Sequence, residues 1–169
     1  MICFVRRSTI DYDIRLQKYV KACRETHTDY IALTWDRLQN CESPYPNEYQ
    51  FKAKAPYGAK FKNMVSLIGW VLFTYYHLIR FFRKYRVIHA CNFEVFVTLL
   101  PFKAFGKKMV FDIYDSISPK QEKWFVRFAD LLILPHRERL EQISLRENEI
   151  DNKLLVIENV PAFSGEIQP

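Results

Sequence analysis

Short apolar runs alternate along the chain with longer segments whose apolar residues recur at helical spacing. Runs this short, bounded by polar loop residues, are typical of buried strands. The strands expected from them are 2–5, 30–35, 87–90, 108–113, 130–134 and 154–157, with a short additional strand at 48–53. The remaining segments predict a helix beginning at Asp13 and helices over 61–85, 94–105, 120–129 and 137–145. The helix over 94–105 is expected to be interrupted or started at Pro101.

This alternation of strands and helices predicts the fold class. It is typical of an α/β protein with a Rossmann-like open, mostly parallel sheet and helices on both faces. The chain opens with a strand, a helix and a strand, for which a right-handed parallel unit is the expected geometry. We expect one domain over 1–161, followed by a linker or tail at 162–169.

Positive charge is concentrated in the middle third of the sequence. Residues 51–108 carry 11 basic residues and 1 acidic residue, whereas the whole chain has a net charge of +6. Such a field attracts phosphates, nucleic acid or anionic lipid. No zinc-finger spacing, RNA-binding aromatic motif or helix-turn-helix pattern accompanies the charge, so we expect no nucleic-acid partner.

The cysteines and the N-terminus predict the cellular compartment. Cys3, Cys23, Cys41 and Cys91 are widely spaced and include no C-x-x-C pair, which predicts reduced thiols and no metal site. Only the four apolar residues 2–5 precede the first arginines, unlike the apolar stretch of a signal peptide. We therefore expect a cytoplasmic protein.

The stretch 61–86 is the most apolar of the sequence and is flanked by cations. Its uncharged part, residues 64–79, would span roughly 24 Å as a helix, which is short of the ~30 Å hydrocarbon core of a bilayer. Two interpretations stay open: a buried helix of the α/β layer, or a helix lying in a membrane interface at the inner face of the membrane. In the second, aromatic rings enter the headgroup region and cations meet anionic lipid. The residues expected to do so are Trp70, Phe73, Tyr76, Arg80, Arg83, Lys84 and Arg86.

Polar residues cluster in three loops that follow predicted strands: 6–13, 89–94 and 112–119. Because the carboxyl ends of parallel strands line the ligand crevice of such sheets, we predict a polar-ligand site there. Taken singly, each of these residues is also explained as a helix cap or a surface residue. No G-x-G-x-x-G or P-loop sequence occurs, which argues against a small independent nucleotide-binding enzyme. The candidates are Arg6, Arg7, Asp11, Asp13, Arg15, His89, Asn92, Glu94, Asp112, Tyr114, Asp115 and Ser116.

Several segments in order resemble the N-terminal domain of glycosyltransferase family 4, whose members have the GT-B fold. R-V-I-H-A-C-N (86–92) is similar to the family's D-hydrophobic-I-H-A-H-D, and G-K-K-M-V-F-D-I-Y-D (106–115) to its G-K-K-hydrophobic-V-Y-D-x-H-E/D. F-A-D-L-L-I (128–133) after Glu122, and L-L-V-I-E-N-V-P (154–161), resemble later family segments. Asp13 and Arg15 match a D-x-R start to the first helix. The resemblance covers residues 2–161.

The chain also departs from the family pattern. Arg6, Arg7, Ser8 and Thr9 stand where many relatives have a Gly-Gly loop near the donor phosphates. Cys91 and Asn92 replace a histidine and an aspartate, and Tyr114 replaces the histidine that contacts the donor sugar in relatives. A phenol with a pKa near 10 is a poor general base at neutral pH. Family members are about twice as long, so the sequence predicts that the C-terminal donor-binding domain is absent.

The resemblance implies a function for the candidate residues. It is that of an acceptor-binding half, which moves a sugar from a nucleotide-sugar to a glycan or lipid-linked acceptor and is inactive without a donor-binding domain or subunit. The nucleotide-sugar is a co-substrate, and no cofactor is implied. The alternative is a non-enzymatic α/β module that binds a partner protein or an anionic membrane surface. For the transferase, the implied catalytic residues are Tyr114, Asp115 and His89, and the implied substrate-binding residues are Arg6, Arg7, Asp13, Arg15, Asn92, Glu94 and Ser116.

Overall fold

A computed structural model describes residues 1–39, 42–55, 60–113, 118, 127–136 and 151–157. The described residues contain seven strands and four α-helices. The strands are β1 (Ile2–Val5), β2 (Tyr30–Asp36), β3 (Glu48–Lys52), β4 (Val87–Ala90), β5 (Lys108–Asp112), β6 (Leu131–Leu134) and β7 (Leu154–Val156). The helices are α1 (Ile14–Glu25), α2 (Lys60–Arg80), α3 (Phe93–Leu99) and α4 (Pro101–Ala104).

The seven strands form one sheet in the order β3-β2-β1-β4-β5-β6-β7. Every neighbouring pair is parallel, for example Cys3 opposite Ile31 on one side of β1 and opposite Ile88 on the other. The strand order reverses between β1 and β4, so the connections on either side of this point leave in opposite directions. The predicted α/β, Rossmann-like class is therefore confirmed, and the switch point between β1 and β4 is where such sheets bind ligands.

Helices cover both faces of the sheet, so the side chains of the central strands are buried on both faces. All seven residues of β2 are buried, as expected for a strand of a parallel sheet. One-letter runs such as ICFV and YIALTW therefore identify strands even though they lack alternation. The predicted boundaries of β1 and β4 are confirmed, and the short strand expected at 48–53 is present as β3.

Helix α1 lies on one face of the sheet. The side chain of Asp13 accepts a hydrogen bond from the backbone N–H of Leu16 at 2.9 Å, which satisfies one of the free donors at the helix start. Leu16, Val20 and Cys23 then pack with Phe4 and other β1–β2 side chains in the smaller of two apolar clusters. The helix start predicted at Asp13 is confirmed.

Helices α2, α3 and α4 pack against the opposite face, where the larger apolar cluster lies. The indole rings of Trp70 on α2 and Trp35 on β2 stack with centroids 6.1 Å apart. Pro101 is the first residue of α4, so the expected interruption of the helix at this proline is confirmed. Gly106 ends α4 with a φ of +79°, a conformation that side-chain-bearing residues rarely adopt.

The structure corrects the expected place of Trp70. Its side chain is 1% exposed and lies in the core, so it does not reach a membrane surface. Phe73 is half-buried and contacts Phe51 on β3 and His77 on its own helix. Across the described ranges, no helix has both the length and the apolar character needed to cross a membrane. The helices expected at 120–129 and 137–145 and the tail at 162–169 fall largely or wholly outside the described residues.

Candidate functional site

A buried polar network lies at the carboxyl ends of β1, β4 and β5. At its centre is Arg6, the residue after β1, whose side chain is fully buried. Its Nε atom lies 3.4 Å from Oδ2 of Asp13, and its Nη2 atom lies 3.8 Å from Oδ2 of Asp112. Arg6 also donates to His89, from Nη2 to the ring Nδ1 at 2.8 Å and from Nη1 to the backbone carbonyl at 3.2 Å.

Asp112, the last residue of β5, receives further donors from α1. Nη1 of Arg15 donates to its Oδ1 at 2.5 Å, and the Tyr19 hydroxyl donates to its Oδ2 at 2.8 Å. Burial raises the pKa of this carboxyl above its usual value, and the charges of Arg6 and Arg15 and the Tyr19 hydrogen bond offset only part of the rise. Two arginines and two carboxylates are in contact here, so their charges balance when all four groups are ionised. We therefore infer that Asp112 is ionised. Arg15 also donates to the carbonyl of Ile157, which ties α1 to the end of β7.

His89 is neutral in this network. Burial lowers its pKa well below the usual range, and the charges of Arg6 and Arg15 lower it further. Because a guanidinium only donates, Nδ1 of His89 must accept, and the ring proton lies on Nε2. Nε2 has no hydrogen-bond partner within the described residues. The ring packs edge-on against Phe4 and Tyr19, at centroid distances of 5.3 and 4.8 Å.

Arg7 and Glu94 meet across the switch point of the sheet. Arg7 follows β1 by two residues and Glu94 lies in the first turn of α3; their Nη1 and Oε2 atoms are 3.9 Å apart. Asn92 occupies the N-cap position of α3, and its side-chain oxygen accepts from the Cys91 thiol at 3.1 Å. Burial raises the pKa of Cys91 to about 11, so this thiol is protonated at neutral pH. Of the two neighbouring arginines predicted for this site, Arg7 is the one at the surface, and Arg6 lies beneath it.

A cavity of about 470 Å³ opens beside Arg7, at the carboxyl ends of β1, β2 and β3. Its lining is mostly apolar and includes the indole of Trp35. The guanidinium carbons of Arg7 and Arg37 lie 5.7 and 5.3 Å from the centroid of this ring. Arg37 also donates to the carbonyl of Ala55 at 3.0 Å, which holds the loop after β3 in place. The volume suits a sugar-sized ligand.

Two further side chains give this cavity polar character. Lys54 lines it and adds a third cation to Arg7 and Arg37. Thr9 also lines it and is 2% exposed, and its Oγ1 atom has no hydrogen-bond partner in the part of the chain that the structure describes. A buried hydroxyl without a partner costs free energy unless a ligand or water satisfies it. The cavity therefore combines a mostly apolar lining, three cations and an unsatisfied hydroxyl.

Sequence reasoning found one part of this site and missed another. The polar loops expected after β1, β4 and β5 do converge, since Arg6, Asp13, Arg15, His89 and Asp112 form one network. Tyr114, Asp115 and Ser116 lie outside the described residues. The cavity residues Trp35, Arg37 and Lys54 were missed because Trp35 reads as a strand residue and the two cations fall in loop sequence. The available signal was that all three also follow or end strands of the same sheet.

The described residues contain no cluster of three or more His, Cys, Asp or Glu side chains placed to hold a metal ion. Cys3, Cys23 and Cys91 are all free and buried. Burial raises the pKa values of the Cys3 and Cys23 thiols, as it does for Cys91. These cysteines act as small apolar side chains of the core.

The fold and its carboxyl-edge cavity define a Rossmann-like α/β protein. No protein-family model and no curated protein matches the chain. Among solved structures it is similar to a sucrose-phosphate synthase from Thermosynechococcus elongatus, with 11% identity, a TM-score of 0.62, and 96% of this chain and 91% of that chain covered. It also matches dTDP-glucose 4,6-dehydratase from Bacillus anthracis with 13% identity and a TM-score of 0.40, over 79% of this chain and 53% of that chain.

At this level of identity the first likeness shows the fold alone. The chain has an open, Rossmann-like sheet of the kind found in a GT-B glycosyltransferase. Membership of family 4 stays a prediction from the motifs, as do the roles that the motifs imply for individual residues.

Proposed function

We propose that this chain is the acceptor-binding half of a glycosyltransferase that moves a sugar from a nucleotide-sugar to a glycan acceptor. The observation that supports the proposal most is the cavity beside Trp35, which opens at the carboxyl edge of a GT-B-like sheet. The proposed activity requires a donor-binding domain or subunit, supplied by the same polypeptide or by another. Such a half would face the cavity across the carboxyl edge.

The cations around the cavity favour an acceptor that carries a negative charge. Arg7, Arg37 and Lys54 are the cations of a mostly apolar lining, and Asp36 is the carboxylate among the lining residues. The side chain of Asp36 accepts hydrogen bonds from the backbone N–H groups of Leu38 and Gln39, at 3.1 and 2.8 Å. Guanidinium groups bind phosphate oxygens, and the volume of the cavity accommodates a sugar ring. We therefore propose a phosphorylated or lipid-pyrophosphate-linked glycan as the acceptor class.

The reaction needs a bond from an acceptor hydroxyl oxygen to the anomeric carbon, while the bond from that carbon to the nucleotide diphosphate breaks. The hydroxyl proton must leave, and the leaving diphosphate must be stabilised by charge. The contribution proposed for the described residues is orientation of the acceptor, since His89 is buried and its Nδ1 is occupied by Arg6. Arg7 is the predicted contact to the diphosphate, and the predicted catalytic roles of Tyr114 and Asp115 remain part of the proposal.

The buried network would keep this edge rigid while the acceptor binds. Arg6 joins β1 to β4 and β5, and Arg15 joins α1 to β5 and β7. Because its charges are compensated internally, the network does not itself need a ligand. Rigid support of this kind preserves the position of surface groups such as Arg7.

Acceptor binding can be tested without a donor half. Nitrogen-15 NMR should show the Trp35 indole N–H, which donates to the carbonyl of Ala53 at 2.9 Å, shifting on titration with a hexose phosphate and much less with the free hexose. The variant Arg37→Gln combined with Lys54→Gln should weaken this binding about tenfold or more, as expected for loss of charge-assisted contacts. Lys18→Gln with Lys21→Gln, on α1, is the matched control. No shift with any sugar phosphate would remove the cavity from the proposal.

Activity is tested with the chain paired to a candidate donor-binding half, supplied either on the same polypeptide or as a separate subunit. Arg7→Ala combined with Tyr114→Phe should leave folding intact and lower the rate by about a hundredfold or more, the scale of an oriented charge contact. Unchanged activity of the pair would remove these residues from the mechanism. Acceptor binding without activity in any pairing would instead favour a binding module.

A second candidate function is a non-enzymatic module that binds an anionic membrane surface or a partner protein. The observation that favours it is an exposed apolar face on α2, whose residues are not among those that line the cavity. The two functions are compatible, because the face and the cavity use different residues.

A further inference from the structure

The outward face of α2 is apolar along almost its whole length. Between residues 63 and 79, every exposed side chain belongs to one of six large apolar residues. We call these residues the apolar stripe: Met64 (52% exposed), Val65 (54%), Ile68 (55%), Leu72 (66%), Tyr76 (60%) and Ile79 (65%).

The apolar stripe is one continuous face because its members recur at helical spacing. Met64, Ile68, Leu72 and Tyr76 follow at intervals of four, and residues 64–79 span roughly 24 Å of helix. The inward face, with Trp70, Thr74 and Leu78, is already buried in the core. The stripe is therefore surplus to the fold of the described residues, and an apolar patch of this length marks an interaction surface.

Exposed cations follow the apolar stripe directly. Arg80, Arg83, Lys84 and Arg86 are all exposed at the end of α2 and in the turn after it. None of the four forms an ion pair with a carboxylate of the described residues; Arg80 and Lys84 instead lie near the Phe81 ring, at 5.4 and 5.6 Å. Their charges remain available to an external anionic surface.

We propose that the apolar stripe docks α2 onto an anionic lipid bilayer. The stripe would enter the boundary between headgroups and acyl chains with the helix lying in the plane of the membrane, and the four cations would contact lipid phosphates. The membrane-facing residues are thus the six of the stripe rather than Trp70 and Phe73, which face the protein. This inference rests on the second candidate function and deepens it by naming the lipid surface and the residues that meet it. It needs no sugar donor or acceptor, so its failure and that of the transferase proposal are distinguishable.

Charge complementarity favours lipid over a second copy of this chain. The sequence places Lys60 and Lys62 at one end of α2 and the four cations at the other. Two copies packed through their stripes would bring basic ends together in either the parallel or the antiparallel orientation. Like charges placed so close oppose association, whereas an anionic bilayer complements both ends at once.

Vesicle flotation tests the proposal with the wild-type chain. We expect it to float with vesicles rich in phosphatidylglycerol and to remain unbound with pure phosphatidylcholine at the same lipid concentration. Arg83→Gln with Arg86→Gln should weaken binding on the order of thirtyfold, because each of the two lost cations contributes a similar share of the free energy of binding to an anionic surface. Lys18→Gln with Lys21→Gln removes the same charge from α1 and should leave binding unchanged. An equal loss in both double variants would show a nonspecific charge effect and overturn the proposal.

The apolar contribution has its own matched pair. Leu72 and Ile14 are both 66% exposed and both lie on helices, but only Leu72 belongs to the apolar stripe. Leu72→Gln should weaken vesicle binding about tenfold, and Ile14→Gln should not. Light scattering of the free chain tests whether a second copy of the chain covers the apolar stripe instead of lipid. A dimer that Leu72→Gln dissociates, together with no binding to vesicles, would overturn the membrane proposal. Absence of binding to anionic vesicles by the folded wild-type chain would also overturn it.

Discussion

Arg6 donates a hydrogen bond from Nη2 to Nδ1 of His89 over 2.8 Å, and neither side chain reaches solvent to any extent. The pair fixes the protonation state of the histidine, because an arginine cannot accept the proton that a charged imidazole would present. It also joins β1 to β4 at the switch point of the sheet. The switch point, where such sheets bind ligands, thus packs against a buried network whose charges compensate one another.

Removal of Arg6 should therefore destabilise the protein strongly. Arg6→Met leaves Asp13, Asp112 and His89 without their shared donor, and breaking a buried pair in this way costs about 3–5 kcal/mol. Arg7→Met, at the neighbouring partly exposed position, should change the free energy of unfolding by about 0–1 kcal/mol. Urea denaturation of both variants makes the comparison. Similar values for the two would show that Arg6 is not held as the structure describes.

Acidification should destabilise the protein through its buried histidines. Burial lowers the pKa values of His89 and His77 below the usual value of 6.5, and nearby arginine charge adds to both shifts. In the unfolded chain both rings bind protons below pH 6.5, whereas in the folded state each ring binds its proton only at a lower pH. Stability is therefore complete above that pH and falls below it, by up to about 1.4 kcal/mol per pH unit for each histidine.

Urea unfolding at about pH 7.5 and about pH 5.5 measures this loss. The free energy of unfolding of the wild-type chain should be lower at the acidic pH. This decrease should be smaller in the variant His77→Phe, which keeps the aromatic packing around that position. His27→Asn is the control, because His27 is exposed and asparagine tolerates the positive φ of 51° at this position. A free energy that stays constant between the two pH values would mean that the histidines are hydrated or charged in the folded protein.

The orientation of α2 can be tested by two substitutions on opposite faces. Trp70→Ala removes a fully buried indole that stacks on Trp35 and should cost about 3–5 kcal/mol. Leu72→Ala, two residues later on the exposed face, should change stability by at most about 0.5 kcal/mol. Thermal or urea unfolding reports both values. The reverse order would place the apolar stripe in the core and remove the basis of membrane docking.

Asp130 should stabilise the start of β5 in a pH-dependent manner. It accepts hydrogen bonds from the backbone N–H of Met109 at 2.8 Å and from Lys103 and Lys108 at 2.9 and 3.3 Å. Burial raises its pKa, but these bonds outweigh burial and lower it overall. Its contribution is therefore present above the usual carboxyl pKa of 3.8 and is lost as pH falls through the lowered value.

Asp130→Asn should lower the free energy of unfolding by about 1–2 kcal/mol at neutral pH, as expected for the loss of hydrogen bonds to a charged acceptor. Urea unfolding measures the difference, and Asp29→Asn, at an exposed position before β2, is the control. The gap between wild type and Asp130→Asn should shrink in acid. A gap that persists unchanged in acid would show that shape, not charge, explains the effect.

Much of the fold could be predicted from local sequence because parallel strands leave a strong local signature. The apolar run that became β1 is unmistakable, since a strand covered on both faces has no polar positions to interrupt it. Asp13 was recognisable as a helix start, and Pro101 as an interruption, because capping and the missing proline N–H act within one turn. The convergence of Arg6, His89 and Asp112 followed from the rule that strand ends share one edge.

What the sequence alone determined, then, is the order and class of the elements, because these depend on interactions between residues close in the chain. Only the tertiary structure decided which side of α2 faces the core: Trp70 and Leu72 are equally apolar, and contact with Trp35 on a distant strand selects the first. It also decided that Arg6 is buried and Arg7 only partly so, and that Trp35, Arg37 and Lys54 line one cavity. Those outcomes depend on how separate elements pack, and no local pattern encodes that.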